Sequence, residues 1–559
     1  MKKNWWKEAV VYQVYPRSFM DSNGDGIGDL QGMISKIDYI KDLGIDVIWI
    51  CPMYQSPNDD NGYDISDYQD ILDEFGTMAD FDHLLTETHK RGMKLIIDLV
   101  INHTSDKHPW FIESSSSQDS PKRSWYIWRD GKDGKEPNNW ESIFGGSAWE
   151  YDDKTGQYYL HVFSIKQPDL NWKNPDVRKS LYNMINWWLN KGIDGFRVDA
   201  ISHIYKEDGL ADMPNPLSLK YVPSFDKHMN VPGIHQYLKE LKKETFIKYD
   251  IMTVGEANGV SADNQEDLEN WVGEETGNFS MVFQFEHLNL WDFGGNKGLN
   301  IVALKKVLTK WQKALENKGW NALFIENHDQ PRRVSTWGDD KRYWYESATA
   351  LATMYFLMKG TPFIYQGQEI GMTNVKFKTI EEYDDVAEIN RYHIRCAEGV
   401  PRDEIMKCIW TTSRDNSRTP MQWSNEQNAG FTTGTPWLGV NKNYKKINVE
   451  NQLNDEFSIL NFYKKLIKLK KQHSVFTYGK YELILPDHPQ IFAYTRTLEA
   501  IRVVVISNLS GQTAKFEDVF TLSKNSVLLA NYDIFHLDVS KIFTLRPYEA
   551  RVYLLKSID

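Results

Sequence analysis

A short apolar run, Gly195-Phe-Arg-Val-Asp-Ala, carries two opposite charges two residues apart, Arg197 and Asp199. Alternate residues of a strand share a face, so both side chains point the same way. Burying a charge is costly unless it is paired or put to use. The run therefore reads either as a structural ion pair or as part of a reactive site. The pattern recurs. Lys94-Leu-Ile-Ile-Asp-Leu-Val-Ile-Asn-His ends on Asn102 and His103, Asp250-Ile-Met-Thr-Val-Gly-Glu on Glu256, and Asn321-Ala-Leu-Phe-Ile-Glu-Asn-His-Asp on His328 and Asp329. Thr361-Pro-Phe-Ile-Tyr-Gln-Gly-Gln-Glu is a further apolar run with a polar end. Paired carboxylates on one face suit the cleavage of a glycosidic bond, where one is the nucleophile and the other arrives protonated. Arg197 beside Asp199 favours its ionised form, which suits the nucleophile. Glu256 has no basic neighbour in sequence and keeps its proton longer, which suits the acid/base. Asp329 is a third carboxylate that could bind hydroxyls and oppose charge at an oxocarbenium-like transition state.

Such residues need a scaffold that gathers them. Apolar strands alternating with helical stretches such as 343–359 imply a parallel sheet covered on both faces. Polar residues at the carboxyl ends of those strands are the mark of a (β/α)8 TIM barrel. Eight strands are expected, at 10–16, 46–50, 94–100, 195–200, 251–256, 281–286, 321–326 and 362–366. The barrel then spans 1–103 and 173–478. Residues 104–172 lack barrel periodicity and read as an inserted domain over the active face, with 156–163 alternating like a strand. A second irregular stretch, 375–449, holds a helical pair and the polar segment Arg414-Asp-Asn-Ser-Arg-Thr-Pro-Met-Gln-Trp. After a last helix at 457–472 the period becomes two, so 479–559 is expected to form an antiparallel β-sandwich.

Composition narrows the partners. The chain has 559 residues and a net charge of −12, which argues against nucleic acid and anionic membranes. Twenty Trp and 29 Tyr suit a sugar site. Three cysteines, Cys51, Cys396 and Cys408, match neither a disulfide framework nor a metal motif. No apolar run reaches transmembrane length and the start lacks a signal-like core, so a cytoplasmic setting is expected. No obligatory protein partner is evident.

One loop looks built for a cation. In Asp21-Ser-Asn-Gly-Asp-Gly-Ile-Gly-Asp-Leu, the residues Asp21, Asn23, Asp25 and Asp29 recur with the spacing of an EF-hand's first nine positions. Ile27 stands where such a loop ligates through its carbonyl. Gly32 replaces the twelfth-position Glu, so this is not an EF-hand, but hard oxygen ligands favour Ca2+ or Mg2+. The alternative is a metal-free Asx turn.

The strand-end motifs carry a family resemblance. Asp98-Leu-Val-Ile-Asn-His, Gly195-Phe-Arg-Val-Asp-Ala, Val254-Gly-Glu and Phe324-Ile-Glu-Asn-His-Asp resemble the four sequence regions of the α-amylase family, glycoside hydrolase family 13. Gln167-Pro-Asp-Leu-Asn resembles a fifth region found in its oligo-1,6-glucosidase and α-glucosidase subgroup. The resemblance runs along nearly the whole chain. It implies a retaining hydrolase of short α-glucosides, with Asp199 as nucleophile, Glu256 as acid/base and Asp329 as stabiliser. It implies sugar contacts from Arg197, His103, His328 and Gln167, an aromatic platform at Tyr63, and a pocket closed by Asp60 and Arg418, with Arg414 an equally near candidate, so that only terminal glucose is released. It also implies a structural calcium on the 21–29 loop. Ala200 and Asn258 follow the nucleophile and the acid/base, and both should border the leaving group. Relatives that prefer α-1,6 bonds tend to carry Val and a Met-Pro pair here. Ala200 and Ala257-Asn258 instead resemble α-1,4-cleaving members such as maltases. Rival readings are an oligo-1,6-glucosidase, a sucrose-acting hydrolase or isomerase, and a non-catalytic sugar-binding relative. The Arg- and Asp-rich segment of the isomerases is not seen at 292–296. A non-catalytic protein would not need the acid/base Glu.

Overall fold

The computed structural model describes residues 3–288, 290, 298–534 and 542–556. Eight parallel strands form its centre: β1 (Val11–Val14), β2 (Val47–Ile50), β3 (Lys94–Val100), β4 (Gly195–Asp199), β5 (Met252–Glu256), β6 (Met281–Phe283), β7 (Ala322–Leu323) and β8 (Thr361–Tyr365). Their order is β6-β5-β4-β3-β2-β1-β8-β7. The two ends of this sheet meet through Phe283 and Phe324, whose rings lie edge to face at 4.8 Å. The fold is therefore the expected TIM barrel. All eight strands lie where periodicity placed them, most of them shorter than expected, β6 and β7 most of all. The 292–296 segment, which bears on the isomerase alternative, lies outside the described residues.

Period two decides what faces inward. Val11, Val47, Trp49, Ile96, Met252, Val254, Met281, Phe283, Ala322, Phe324 and Phe363 pack together as the barrel interior. Trp6 and Trp320 close its amino-terminal end, in edge contact at 6.3 Å. The same inward parity continues toward the carboxyl ends as Gln13, Asp98, Arg197, Asp199 and Glu256. The interior thus passes from apolar to charged along each of these strands. Register aligns the layers: Arg197 stands opposite Asp98 on one side and Val254 on the other.

The helix before β4, Pro175–Lys191, shows how the chain delivers a strand. Asn174 caps it by accepting the Asp176 N–H, and Pro175 sits in the first turn, where no N–H is needed. Val177, Leu181, Met184, Ile185, Trp188 and Leu189 bury one face. Gly192, at φ 101°, ends the helix in the left-handed region. Three residues later Gly195 (φ 142°) opens β4 against β5 so closely that a Cβ would fall 1.8 Å from the Met252 carbonyl oxygen.

The inserted domain holds a helix, Pro109–Ser114, and a three-stranded antiparallel sheet of Trp128–Arg129, Gln157–Leu160 and Trp149–Asp152. Its boundary needs one correction. Trp140–Glu141 pairs with Val222–Pro223 from the segment after β4. The Trp140 indole N–H bonds the Ala211 carbonyl, and the Asn138 amide bonds that of Leu210. That segment has no periodicity of its own, so only long-range pairing reveals where it belongs. The helical pair of the second irregular stretch is Val386–Ala397 and Arg402–Thr412. The carboxyl-terminal domain begins at Lys480 and packs a five-stranded antiparallel sheet against a two-stranded one, as the alternation implied. Ile491, Val504, Ile506, Phe516, Phe543 and Leu545 form its core. Among the described residues no helix is long and apolar enough to cross a membrane.

Two glycines with different surroundings test this account of strand delivery. Gly195→Ala should destabilise by more than about 3 kcal/mol, because a backbone carbonyl cannot yield. Gly192→Ala, with nothing within 4 Å of its Cβ, should cost only about 1 kcal/mol for the left-handed conformation. Urea unfolding of both variants checks the ranking, and equal losses would refute it.

Candidate active site

Arg197 is buried, 1% exposed, and its guanidinium touches three carboxylates. Nη1 lies 2.6 Å from Asp98 Oδ1 and 2.7 Å from Asp199 Oδ1, while Nη2 lies 2.9 Å from Glu256 Oε2. Neighbouring strands β3, β4 and β5 supply one carboxylate each, so the cluster follows from strand order and parity. It corrects the expectation that Glu256 stands apart from any base: the cation that sits beside Asp199 in sequence reaches Glu256 across the barrel. Glu256 Oε2 also accepts the Ala200 N–H at 2.9 Å. Ala200 can offer that N–H because it adopts φ 43°, ψ 30°, turning the chain sharply after the strand.

Asp199 and Glu256 lie side by side, one on each amino group of Arg197. Burial pushes Asp199 upward, Arg197 draws it back, and the Glu256 and Asp98 charges push it up again. Holding both groups on one guanidinium suits the short carboxyl separation of about 5–5.5 Å used in retaining glycoside hydrolysis better than the ~6.5–9.5 Å of inverting hydrolysis. Asp98 is likewise pushed up by burial, to about 6, against the pull of Arg197. Sequence reasoning passed over Asp98 as a site residue, although a carboxylate in the middle of Leu95-Ile-Ile-Asp-Leu-Val is itself a signal.

Asp329 faces this cluster from the loop after β7. Its Oδ1 lies 2.8 Å from Arg418 Nη2 and 3.6 Å from Arg414 Nη1, and its Oδ2 lies 3.0 Å from His328 Nε2. Burial opposes ionisation here, but His328, Arg418 and Arg414 hold the carboxyl well below the usual range. His328 is pushed down to about 3, mainly by burial, and is neutral at physiological pH. The Gln13 amide lies 2.9 Å from its Nδ1, so Nε2 carries the proton, with the Tyr63 hydroxyl at 2.6 Å and Asp329 Oδ2 at 3.0 Å beside it. Tyr63 stacks on this ring at 5.2 Å and 11°. Gln13 is another residue sequence reasoning missed, since nothing marks it apart from its parity on β1.

The pocket closes at the far end with a different arginine than expected. Arg414 Nη2 lies 3.2 Å from Asp60 Oδ1 and 2.8 Å from Asp385 Oδ1. Arg418 is instead fully buried and anchors Asp329, with its Nε bonding the His328 carbonyl. The physical reason is helical. Residues Asp415–Arg418 form one helical turn, so the two arginines lie on one face at successive levels. The upper reaches Asp60 and the lower lies beneath Asp329. Gln167 Nε2 bonds Asp60 Oδ2 at 3.1 Å and lies 3.2 Å from His103 Nε2. Asn258 is half-buried in the turn after β5, and no hydrogen bond among the described residues ties it to the cluster.

The 21–29 loop lies apart from these groups. Asp21 Oδ1 accepts the N–H of Asn23 and of Gly24, Asn23 Oδ1 that of Asp25, and Asp25 Oδ1 that of Ile27. Asp29 caps the helix Leu30–Ser35 by accepting the Gly32 N–H. Thr432 donates its hydroxyl to Asp21 Oδ2, which ties the loop to the stretch after β8.

The family model described as "Alpha amylase, catalytic domain" matches residues 13–479. The chain is 62% identical over 556 residues to "Probable oligo-1,6-glucosidase 3" of Bacillus subtilis (strain 168), covering 99% of this chain and all of that one. It is 55% identical to the oligo-1,6-glucosidase of Parageobacillus thermoglucosidasius, with both chains fully covered. Among solved structures, the isomaltulose synthase of Protaminobacter rubrum superimposes with a TM-score of 0.94 at 43% identity, covering both chains completely. A Bacillus licheniformis trehalose-6-phosphate hydrolase mutant does so with a TM-score of 0.93 at 46% identity, covering 99% of this chain and all of that one.

The shared guanidinium yields a signed prediction. Arg197→Gln leaves buried carboxylates without their cation and should cost about 3–5 kcal/mol at pH 7.5. Asp98 stands near 6 in the folded protein, above an unfolded value of about 3.9. A carboxylate raised by folding contributes stability that is fully present below its unfolded pKa and is lost as pH rises through its folded pKa. The deficit of the variant should therefore shrink from pH 7.5 to pH 5, as the freed carboxylates take up protons. Urea unfolding at both pH values measures it, and a deficit independent of pH would refute the shared-cation account.

Proposed function

The chain belongs to the α-amylase family of glycoside hydrolases and to its oligo-1,6-glucosidase and α-glucosidase subgroup, and from that membership we propose a retaining, exo-acting α-glucosidase that prefers maltose-like α-1,4 bonds. The observation that carries the mechanism is the placing of Asp199 and Glu256, from neighbouring strands, on the two amino groups of one Arg197 guanidinium. In this reading Asp199 attacks the anomeric carbon while Glu256 gives its proton to the departing oxygen. The C–O bond breaks and a glucosyl ester forms on Asp199. Glu256, now a carboxylate, takes a proton from water, which attacks the ester and restores both groups. Asp329, held ionised by its arginines, opposes the positive charge of the transition state. Tyr63 lies flat against the sugar at the cleavage point, with His103, His328, Gln167 and Arg197 around it. The Asp60–Arg414 ion pair closes the non-reducing end, which supports release of single terminal glucose units. Three free cysteines accord with a reducing, cytoplasmic setting.

Linkage preference is read at residue 200. Ala200 adjoins the acid through its N–H bond to Glu256, which supports the reading that residue 200 borders the leaving group. A methyl in place of a larger branched group leaves room for the ring orientation of an α-1,4 bond, and a clash of that scale is worth about 10–200-fold. The second reading is α-1,6 preference, favoured by the names of the two oligo-1,6-glucosidase relatives.

We also infer one calcium ion on the 21–29 loop. Asp21, Asn23, Asp25, Asp29 and the Ile27 carbonyl would hold it, and its role would be structural. Successive Asx turns run through the loop, with the Asp21, Asn23 and Asp25 oxygens accepting backbone N–H groups. Among the described residues no three acidic, histidine or cysteine side chains group as a metal site, so the Asn23 and Ile27 oxygens are essential to the reading.

Proton NMR in the first minutes of maltose hydrolysis should show α-glucose, and early β-glucose would overturn Asp199 as nucleophile. Glu256→Gln should turn over at least ~10² more slowly while still binding. Wild-type kcat/KM should favour maltose over isomaltose. The reverse by several-fold would establish the second reading. Ala200→Val should shift the ratio toward isomaltose. Its melting temperature must be followed as well, because a β-branched residue at φ 43° is strained. Chelator should lower the melting temperature and leave the rate of still-folded enzyme nearly unchanged. An Asp21→Ala melting curve insensitive to calcium and equal to wild type would exclude the ion.

A further inference from the structure

Lys206 lies outside the carboxylate cluster and only 3% exposed. It sits on the loop after β4, yet its ammonium reaches two other segments. Nζ lies 2.6 Å from Asp169 Oδ2, on the return from the inserted domain, and 2.8 Å from Asn102 Oδ1, just beyond β3. Asn102 is fully buried, and its Nδ2 lies 3.1 Å from His103 Nδ1.

The donor and acceptor inventory makes this a one-way chain. An ammonium only donates, so it holds the Asn102 carbonyl oxygen toward itself. The Asn102 NH2 must then face His103 and donate to Nδ1. A neutral imidazole that accepts at Nδ1 carries its proton on Nε2. His103 is neutral, since burial and the Lys206 charge push it down to about 3. A second contact agrees: His103 Nε2 lies 3.2 Å from the Tyr63 carbonyl oxygen, which can only accept.

Gln167 is oriented just as firmly. Its Oε1 accepts the Ser164 N–H at 3.0 Å and its Nε2 donates to Asp60. The 3.2 Å contact between Gln167 Nε2 and His103 Nε2 therefore brings two donors side by side. Neither satisfies the other; the His103 N–H goes to the Tyr63 carbonyl, and the second Gln167 hydrogen is left for an acceptor oxygen such as a sugar hydroxyl.

We propose that Lys206 is a positioning residue that, through Asn102, holds His103 in the tautomer whose Nε2–H meets the Tyr63 carbonyl and leaves the neighbouring Gln167 amide hydrogen to the pocket. Without the ammonium, Asn102 can flip and offer its oxygen to Nδ1. The proton would then move to Nδ1, and Nε2, now an acceptor, would take up the Gln167 hydrogen otherwise left to the pocket. The catalytic consequence rests on the α-glucosidase reading, but the tautomer does not.

The test is 15N-histidine NMR of the full chain, with His103 assigned by its loss in His103→Gln, alongside kinetics on an aryl α-glucoside. In wild type the proton should reside on Nε2. Lys206→Met should show both tautomers and a kcat/KM at least ~10-fold lower, and Lys206→Arg should retain the wild-type pattern and most of the activity. Lys206→Met also leaves the buried Asp169 unpaired and could fail to fold. Asn102→Asp covers that case, because a carboxylate facing His103 accepts only and should draw the proton onto Nδ1. A wild-type ring protonated at Nδ1 would overturn the proposal. So would an unchanged ring pattern in folded Lys206→Met or in Asn102→Asp. Absence of glucosidase activity with the expected ring patterns would count against the α-glucosidase reading and leave the positioning role intact.

Discussion

One buried guanidinium organises the centre of this protein. Arg197 contacts Asp98, Asp199 and Glu256 within 2.9 Å, and none of the three could be buried there at tolerable cost without it. A buried charge network of this kind is a poor way to gain stability. Its value is geometric. Each strand of the barrel is locked by its neighbours, so three carboxylates on β3, β4 and β5 are held at fixed separations. The arginine supplies the positive charge that offsets all three carboxylates and holds the two that would do chemistry side by side.

The rest of the structure serves to finish the pocket around that centre. A barrel's carboxyl face is open, and three segments far apart in sequence close it. Asp60 follows β2, Gln167 lies on the return from the inserted domain, and Arg414 belongs to the stretch after β8. That stretch is anchored at several points. Ser18 bonds the Arg418 carbonyl, Thr432 bonds Asp21, and the Trp437 indole bonds Ser18. The 21–29 loop and the pocket wall are thus parts of one assembly. A cation that stiffened the loop would stiffen the wall that carries Arg414 and Arg418, without entering the reaction.

The histidines illustrate how second partners decide a ring's role. His103 and His328 both lie at the pocket, and burial keeps both neutral. What distinguishes their two nitrogens is an amide behind each one, from Asn102 and from Gln13. Neither amide stands out by type or spacing, and each matters only because of where the barrel places it.

Much was legible from the residues alone. Apolar runs alternating with helical stretches located all eight barrel strands, because burial is a local property that a sequence records directly. A change to period two marked the carboxyl-terminal sandwich, and the strand-end carboxylates marked the candidate site. What remained hidden depended on distances between remote segments. Arg414 and Arg418 are indistinguishable in sequence, and only the helical turn between them decides which reaches Asp60 and which lies under Asp329. Glu256 looked isolated from any base because its cation sits 59 positions earlier, on the next strand. The 207–223 segment joined the inserted domain through pairing that no periodicity announces. Sequence determined the elements and the chemistry available to them, since both follow from neighbouring residues. Tertiary structure decided which groups share a charge or a hydrogen bond, since those interactions fall off within a few ångströms and take no account of position along the chain.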